Sequence, residues 1–157
     1  MILLSSFQFH FQPRHEKYCL PLRNVFTITM SAPIPILQIA ETPTTPSIDF
    51  NAITGELSIT GRSIKSDPVV FYQPLFDWID RYIEEPCHQT TFSLDLEYIS
   101  SSSLYYISNT FIKLKELTVN GHYVKIIWQY QKDDVEMKEM GEDYADMISM
   151  PFVLTAK

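Results

Sequence analysis

The chain has 157 residues, with 12 Lys and Arg against 19 Asp and Glu for a net charge of −7, and 45% of its residues are apolar. A chain of this length and composition buries a core without disulfides or metals, so one globular domain is expected. Scattered and outnumbered cations exclude a phosphate-backbone binder and an anionic-membrane binder, because both affinities come from clustered Lys and Arg. Cys19 and Cys87 form no CxxC and have no histidine companions, so neither a zinc site nor a redox dithiol is indicated; a reduced, cytoplasmic protein is expected.

The opening MILLSSFQFHFQPRHEK is too short and too interrupted by Gln8, His10 and Gln12 for a membrane helix, and no cation precedes it as a signal peptide requires. Residues 1–29 hold Arg14, Lys17 and Arg23 but only Glu16, a charge of +2 against −9 for the rest. A second methionine, Met30, opens the change in composition. Residues 1–29 are therefore read as an extension or a misplaced start without expected order; the other reading is a genuine arm, in which Phe7, Phe9 and Phe11 alternate with polar residues as in a strand. Residues 30–46 are a proline-rich lead-in, since Pro33, Pro35, Pro43 and Pro46 exclude a helix and disfavour a central strand.

From residue 47 the patterning is regular. Ile48 and Phe50, turn chemistry at 51–55, then Leu57 and Ile59 predict a β-hairpin with one buried face. Pro74 to Glu84 places Leu75, Ile79 and Tyr82 at helical spacing, with Phe76, Trp78 and Ile83 widening the stripe; Pro74 suits a first helical turn and Pro86 a stop. Phe92, Leu94, Leu96 and Tyr98 recur at period two. Four serines, Ser100 to Ser103, follow as a turn, and Leu104, Ile107, Phe111, Leu114 and Leu117 then recur at helical period. Asn120-Gly121 supplies a left-handed helix end, and Val124, Ile126, Trp128 and Tyr130 form another strand, completing a βαβ unit. Asp133 and Asp134 open a third helix with Met137, Met140, Tyr144 and Met147 along one side, and residues 151–155 add a short last strand. The sum is an α/β fold: a mixed sheet with an N-terminal hairpin and three packed helices.

Motifs for enzymes are missing. No serine sits in a GxSxG elbow, the four glycines form no phosphate loop, and no HExxH is present. His88 and His122 fall in polar loops and read as exposed rather than as ligands. The carboxylates at 133, 134, 136, 139, 142, 143 and 146 read as a solvated helix face, or as a docking face for a partner, and the methionine stripe opposite them reads as core. The serine turn is the informative feature, because free backbone N–H groups and the helix dipole converge where a strand meets a helix start. One serine there would serve as N-cap, contributing about 1 kcal/mol. A phosphorylated serine at the same place would gain about −1.5 to −2 charges that a helix start tolerates while its surface changes sharply.

TPSIDF, GELSITGRS, FYQPLFDWIDRYI, LDLEYISSSS, VKIIWQYQKDD and MPFVL resemble, in order and spacing, the SiaC family of bacterial regulatory phosphoproteins, from about Thr45 to Leu154. The resemblance implies a STAS-like domain over residues 47–157, the fold of anti-sigma-factor antagonists, with no catalysis and no cofactor. It implies partner switching: a Ser/Thr kinase modifies the protein, a PP2C-type phosphatase reverses this, and the unmodified form binds a target such as a diguanylate cyclase, linking it to cyclic di-GMP and biofilm formation. The family's acceptor turn, of the form Tyr, apolar, Asn, Thr, Ser, Ser, falls on Tyr98, Ile99, Ser100, Ser101, Ser102 and Ser103. Ser101 is the acceptor so implied, with Ser100 and Ser102 as alternates, and Tyr98, Ser102, Ser103 and Tyr105 border the contact surface. The chain departs from the pattern in carrying Ser100 for Asn and Ser101 for Thr, which keeps the hydroxyl and loses an amide. Two other functions stay open: an anti-sigma-factor antagonist, and a small protein that binds a nucleotide or other anion in the serine turn.

Overall fold

The computed structural model describes residues 34–64 and 67–157, and the chain divides into two units, Met1–Ser31 and Ala32–Lys157. The alternating phenylalanines and the candidate start at Met30 lie outside the described residues. Within the second unit, six strands form one sheet in sequential order: β1 (Leu37–Ile39), β2 (Ser47–Asn51), β3 (Glu56–Ser63), β4 (Gln89–Ile99), β5 (Tyr123–Tyr130) and β6 (Phe152–Ala156). β1, β2 and β3 pair antiparallel, and β3 to β6 pair parallel, so the sheet is mixed as expected.

The β2–β3 hairpin closes because Asn51 uses its side chain as a local acceptor. Its Oδ1 takes hydrogen bonds from the Ile53 N–H at 2.9 Å and the Thr54 N–H at 3.3 Å, the Asx geometry that stands in for a backbone turn. The lead-in also contributes to the sheet. β1 occupies the proline-free stretch between Pro35 and Pro43 and pairs only at the edge, where a missing donor matters least.

Each parallel connection is a helix: α1 (Val69–Glu84), α2 (Ser101–Val119) and α3 (Val135–Ile148). The crossovers advance in one direction across the sheet, so right-handed connections put all three helices on one face. Burial agrees. Ile48, Phe50, Leu57, Ile59, Phe92, Leu94, Val124, Ile126 and Trp128 are buried on that face, while the intervening Asp49, Ser58, Thr60, Ser93 and Lys125 are polar. Aromatic side chains join the layers: Phe50 meets Trp78 of α1 at 5.3 Å between ring centroids, Phe92 meets Phe111 of α2 at 5.8 Å, and Trp128 meets Tyr144 of α3 at 5.7 Å. Such pairs contribute about 0.5–1.5 kcal/mol beyond the area they bury.

Four local expectations need correction. α1 begins at Val69, not at Pro74, and Pro74 lies inside it. Fully buried Tyr72, stacked on Tyr106 at 4.9 Å, anchors the additional turn and outweighs the single backbone bond that Pro74 cannot make. The period-two pattern of β4 stops at Leu96: Gly61 pairs with Leu96 but Arg62 pairs with Tyr98, so Glu97 is an extra residue in a β-bulge. Tyr98 consequently turns outward, 50% exposed, and Ile99 turns in. The serines are not an open turn, because α2 starts at Ser101 and only Ser100 precedes it. In α3 the buried side follows Met137, Gly141, Tyr144 and Ile148, which leaves Met147 exposed rather than in the core.

The end of α2 and the start of α3 follow the sequence. Past α2, the Gly121 N–H reaches the Thr118 carbonyl and the His122 N–H the Leu117 carbonyl, a Schellman closure that needs the positive φ of 87° at Gly121. α3 is capped by Asp134, whose Oδ1 accepts from the Met137 N–H at 2.9 Å. The remaining carboxylates of α3 lie on its exposed side, with Glu142 paired to Lys138 one turn away. No helix among the described residues is long and apolar enough to cross a membrane.

Candidate functional site

At the carboxyl ends of the parallel strands the chain passes from β3 into α1 and from β4 into α2. The Ser100 N–H donates to the Ser63 carbonyl at 2.8 Å, tying the start of α2 to the last residue of β3. Ser100 is the N-cap: its backbone is extended and its Oγ accepts from the Ser103 N–H at 3.3 Å. Beneath it lies a cluster of hydroxyls. Ser63 Oγ donates to Ser103 Oγ at 2.8 Å, Ser100 Oγ donates to Ser103 Oγ at 3.0 Å, and the Tyr72 hydroxyl meets Ser63 Oγ at 2.8 Å. Ser63, Tyr72 and Ser103 are all buried. Burial pushes the Tyr72 phenol above its ordinary pKa of 10.0, while hydrogen bonds with Ser63 and Ser103 act in the opposite direction.

The serines therefore divide by environment. Ser103 is fully buried, so it does not border the outer surface as expected; it belongs to the foundation of the turn. Ser100 is half-buried and engaged as a cap, and Ser102 is exposed with its Oγ 3.0 Å from Ser100 Oγ. Ser101 is exposed at the first helical position. Tyr98 on the bulge and Tyr105 one turn along α2 expose large aromatic side chains, and Val69 and Val70 expose apolar side chains at the start of α1. The first turn of α2 holds no carboxylate, whereas that of α3 holds Glu136, so negative charge is not already present at the positive end of α2.

His88 and His122 lie at the opposite end of the strands, where the Tyr123 N–H donates to the His88 carbonyl. Among the described residues no three His, Cys, Asp or Glu side chains are placed to hold a metal ion. An apolar groove of about 230 Å³ runs between α2 and α3, lined by Ser108, Phe111, Ile112, Lys115, Tyr144, Met147 and Ile148. It lies along α2, beyond the serine turn.

Sequence reasoning reached Ser100 to Ser103, Tyr98 and Tyr105, and the structure brings all of them to one edge. Ser63 and Tyr72 escaped it. Ser63 continues the inward alternation of Leu57, Ile59 and Gly61, so period two marks it as a buried polar residue in need of a partner. Tyr72 was concealed by starting the helix at Pro74.

A family profile described as SiaC family regulatory phosphoprotein matches residues 39–157. The chain belongs to the SiaC family. Solved SiaC structures from Pseudomonas aeruginosa share its fold. Apo-SiaC is 26% identical with a TM-score of 0.73, covering 78% of this chain and 99% of that one. SiaC in a crystal structure of the diguanylate cyclase SiaD in complex with its activator SiaC is also 26% identical with a TM-score of 0.73, covering 77% of this chain and 99% of that one. An uncharacterised protein of Pseudomonas aeruginosa strain UCBPP-PA14 is 26% identical over 120 residues, which is 76% of this chain and 95% of that protein. For this SiaC-family chain the expected α/β architecture, a mixed sheet with hairpin and three helices, is the one observed.

Proposed function

We propose that this protein is a non-catalytic, phosphorylation-controlled adaptor of the cytoplasm, with Ser101 as the phosphate acceptor and a diguanylate cyclase as the target of its unmodified form. The observation that carries the reading is Ser101 itself: an exposed hydroxyl at the amino end of α2, whose first turn holds no carboxylate, with exposed Tyr98 three residues before it and exposed Tyr105 one helical turn after it. Likeness to SiaC, which activates the cyclase SiaD in their complex, supports the choice of target.

The chemistry needs nothing from this chain but a placed oxygen. A Ser/Thr kinase forms the Ser101 Oγ–phosphorus bond and breaks the bond from the γ-phosphorus to the bridging oxygen of ATP; the serine proton passes to the kinase's base and ADP leaves. A PP2C-type phosphatase returns the hydroxyl by hydrolysis. The modification puts a near-dianion among apolar side chains, and a partner that had covered them would have to desolvate it or pair it with cations. Cyclic di-GMP output, and with it biofilm formation, would follow the unmodified fraction.

The test is intact mass and peptide mapping after incubation of the purified protein with ATP and phosphatase-inhibited lysate of its source cells. One added phosphate on Ser101 is expected. No phosphate, with a control substrate labelled in the same lysate, contradicts the reading and leaves the serine turn as a helix cap.

An anti-sigma factor in place of the cyclase would use the same surface and the same switch. Identifying the protein retained by unmodified bait separates the two.

A further inference from the structure

The groove between α2 and α3 combines apolar walls with two hydroxyls that are already paired with each other. Ser108 Oγ donates to the Leu104 carbonyl at 2.9 Å, and a hydroxyl has one proton to give, so Tyr144 is the donor in its 2.9 Å contact with Ser108. Neither hydroxyl keeps a proton for a ligand. Ile112 is 62% exposed and Met147 65% exposed, two large apolar side chains that line the same groove from α2 and from α3. Lys115 is the one charged residue of the lining, and its ammonium has no carboxylate partner among the described residues.

We propose that this groove binds a free medium-chain carboxylate, with its alkyl chain against Phe111, Ile112 and Met147 and its carboxylate on the Lys115 ammonium. Binding here does not depend on the serine switch. A cavity of about 150 Å³ holds a six-carbon ring, so a groove of about 230 Å³ has room for a chain of about eight to ten carbons laid between the two helices. The walls supply affinity by removing that chain from water, and the unbranched Met147 side chain adapts to its shape. Lys115 supplies orientation, because it is the one lining group able to pair with a charge. One cation selects one negative charge. A phosphate monoester brings nearly two, and it would meet the exposed carboxylates of Glu116, beside Lys115, and Asp143, one turn before Met147. An anionic bilayer is repelled in the same way by the net charge of −7, which leaves a free carboxylate as the occupant.

The experiment titrates the full, unphosphorylated chain with sodium octanoate and, separately, with octanol, following the methyl resonances of Ile112, Met147 and Ile148 by NMR. Octanoate is expected to shift those methyls saturably, with a Kd of about 1 mM or tighter, and to leave the exposed methyls of Ile53 and Val70, which do not line the groove, unmoved. Lys115→Gln is expected to weaken octanoate about two- to fivefold, the range of an exposed ion pair, and to leave octanol unchanged. Ile112→Ser is expected to weaken both ligands about threefold or more. Both positions are exposed, so neither variant opens the core. Octanol binding as tightly as octanoate, with Lys115→Gln having no effect, overturns the carboxylate assignment. Shifts that never saturate, or that move Ile53 and Val70 equally, overturn the site itself.

Discussion

Ser101 offers an exposed oxygen at the first position of a 19-residue helix, where negative charge is stabilised by the aligned peptide dipoles. Phosphorylation there is expected to leave the fold intact and to stabilise α2 by about 0.3–1 kcal/mol, so the melting temperature of the modified protein stays equal or rises slightly. A fall of several degrees in differential scanning calorimetry would contradict it. Ser101→Ala is expected to hold the protein in its target-binding form, and Ser101→Asp to weaken target binding, though less than the phosphate does, because one charge replaces nearly two. Equal affinity of both variants in a titration with the target would remove charge as the cause. Ser100→Ala has a different signature: it deletes the cap and leaves Ser103 short of a partner, costing about 1 kcal/mol of stability in chemical denaturation while Ser101 stays exposed.

At the scale of elements, α3 is held to the sheet by Trp128. The indole Nε1 donates to the Met137 carbonyl at 3.0 Å, and Gly141 packs so tightly on the ring that an added Cβ would stand 2.7 Å from Trp128 Cδ1. Gly141→Ala is therefore expected to destabilise the protein by about 1–3 kcal/mol, despite the better helix propensity of alanine, because a buried indole has nowhere to move. A Gly141→Ala protein as stable as wild type in urea unfolding would show that α3 can slide. The same contacts explain what could be read from the sequence. Hairpin, three helices and parallel strands were legible because Ile48, Phe50, Leu57 and Ile59 keep period two, and Ile107, Phe111, Leu114 and Leu117 keep helical period against a single core. Tyr98, Pro74 and Met147 misled for three reasons: a bulge consumes one residue without any mark in composition, a tertiary anchor at Tyr72 outweighs a helix breaker, and neighbouring apolar residues at 147 and 148 leave the buried one to be decided by packing. The serine turn was recognised from its place between strand and helix, whereas its foundation was not, since Ser63 and Ser103 are 40 residues apart.

For the domain as a whole, the three helices cover one face of the sheet and leave their amino ends, with the serine turn, at the carboxyl ends of the strands. Function then needs a firm platform more than a deformable one. Two buried phenols anchor α1 to the sheet at opposite ends of the strands, Tyr72 on Ser63 and Tyr82 on Thr90. Burial raises both the Tyr72 and Tyr82 pKa values above 10.0, the ordinary value they regain on unfolding. The folded state thus holds these protons more tightly. Stability is fully present below about pH 10 and is lost as pH rises from there through the folded-state pKa values. Thermal melts between pH 8 and pH 11 are expected to show that decline, and Tyr72→Phe to flatten it. A melting temperature that climbed through this range would contradict the assignment. In the proposed switch, one phosphate at the start of α2 decides whether the target is bound. Isothermal titration of the purified cyclase with two preparations of this protein, unmodified and fully phosphorylated on Ser101, tests it most directly. Binding by the unmodified protein is expected, with affinity weakened by about tenfold or more, at least ~1.4 kcal/mol, for the phosphorylated one; equal affinities would contradict the switch.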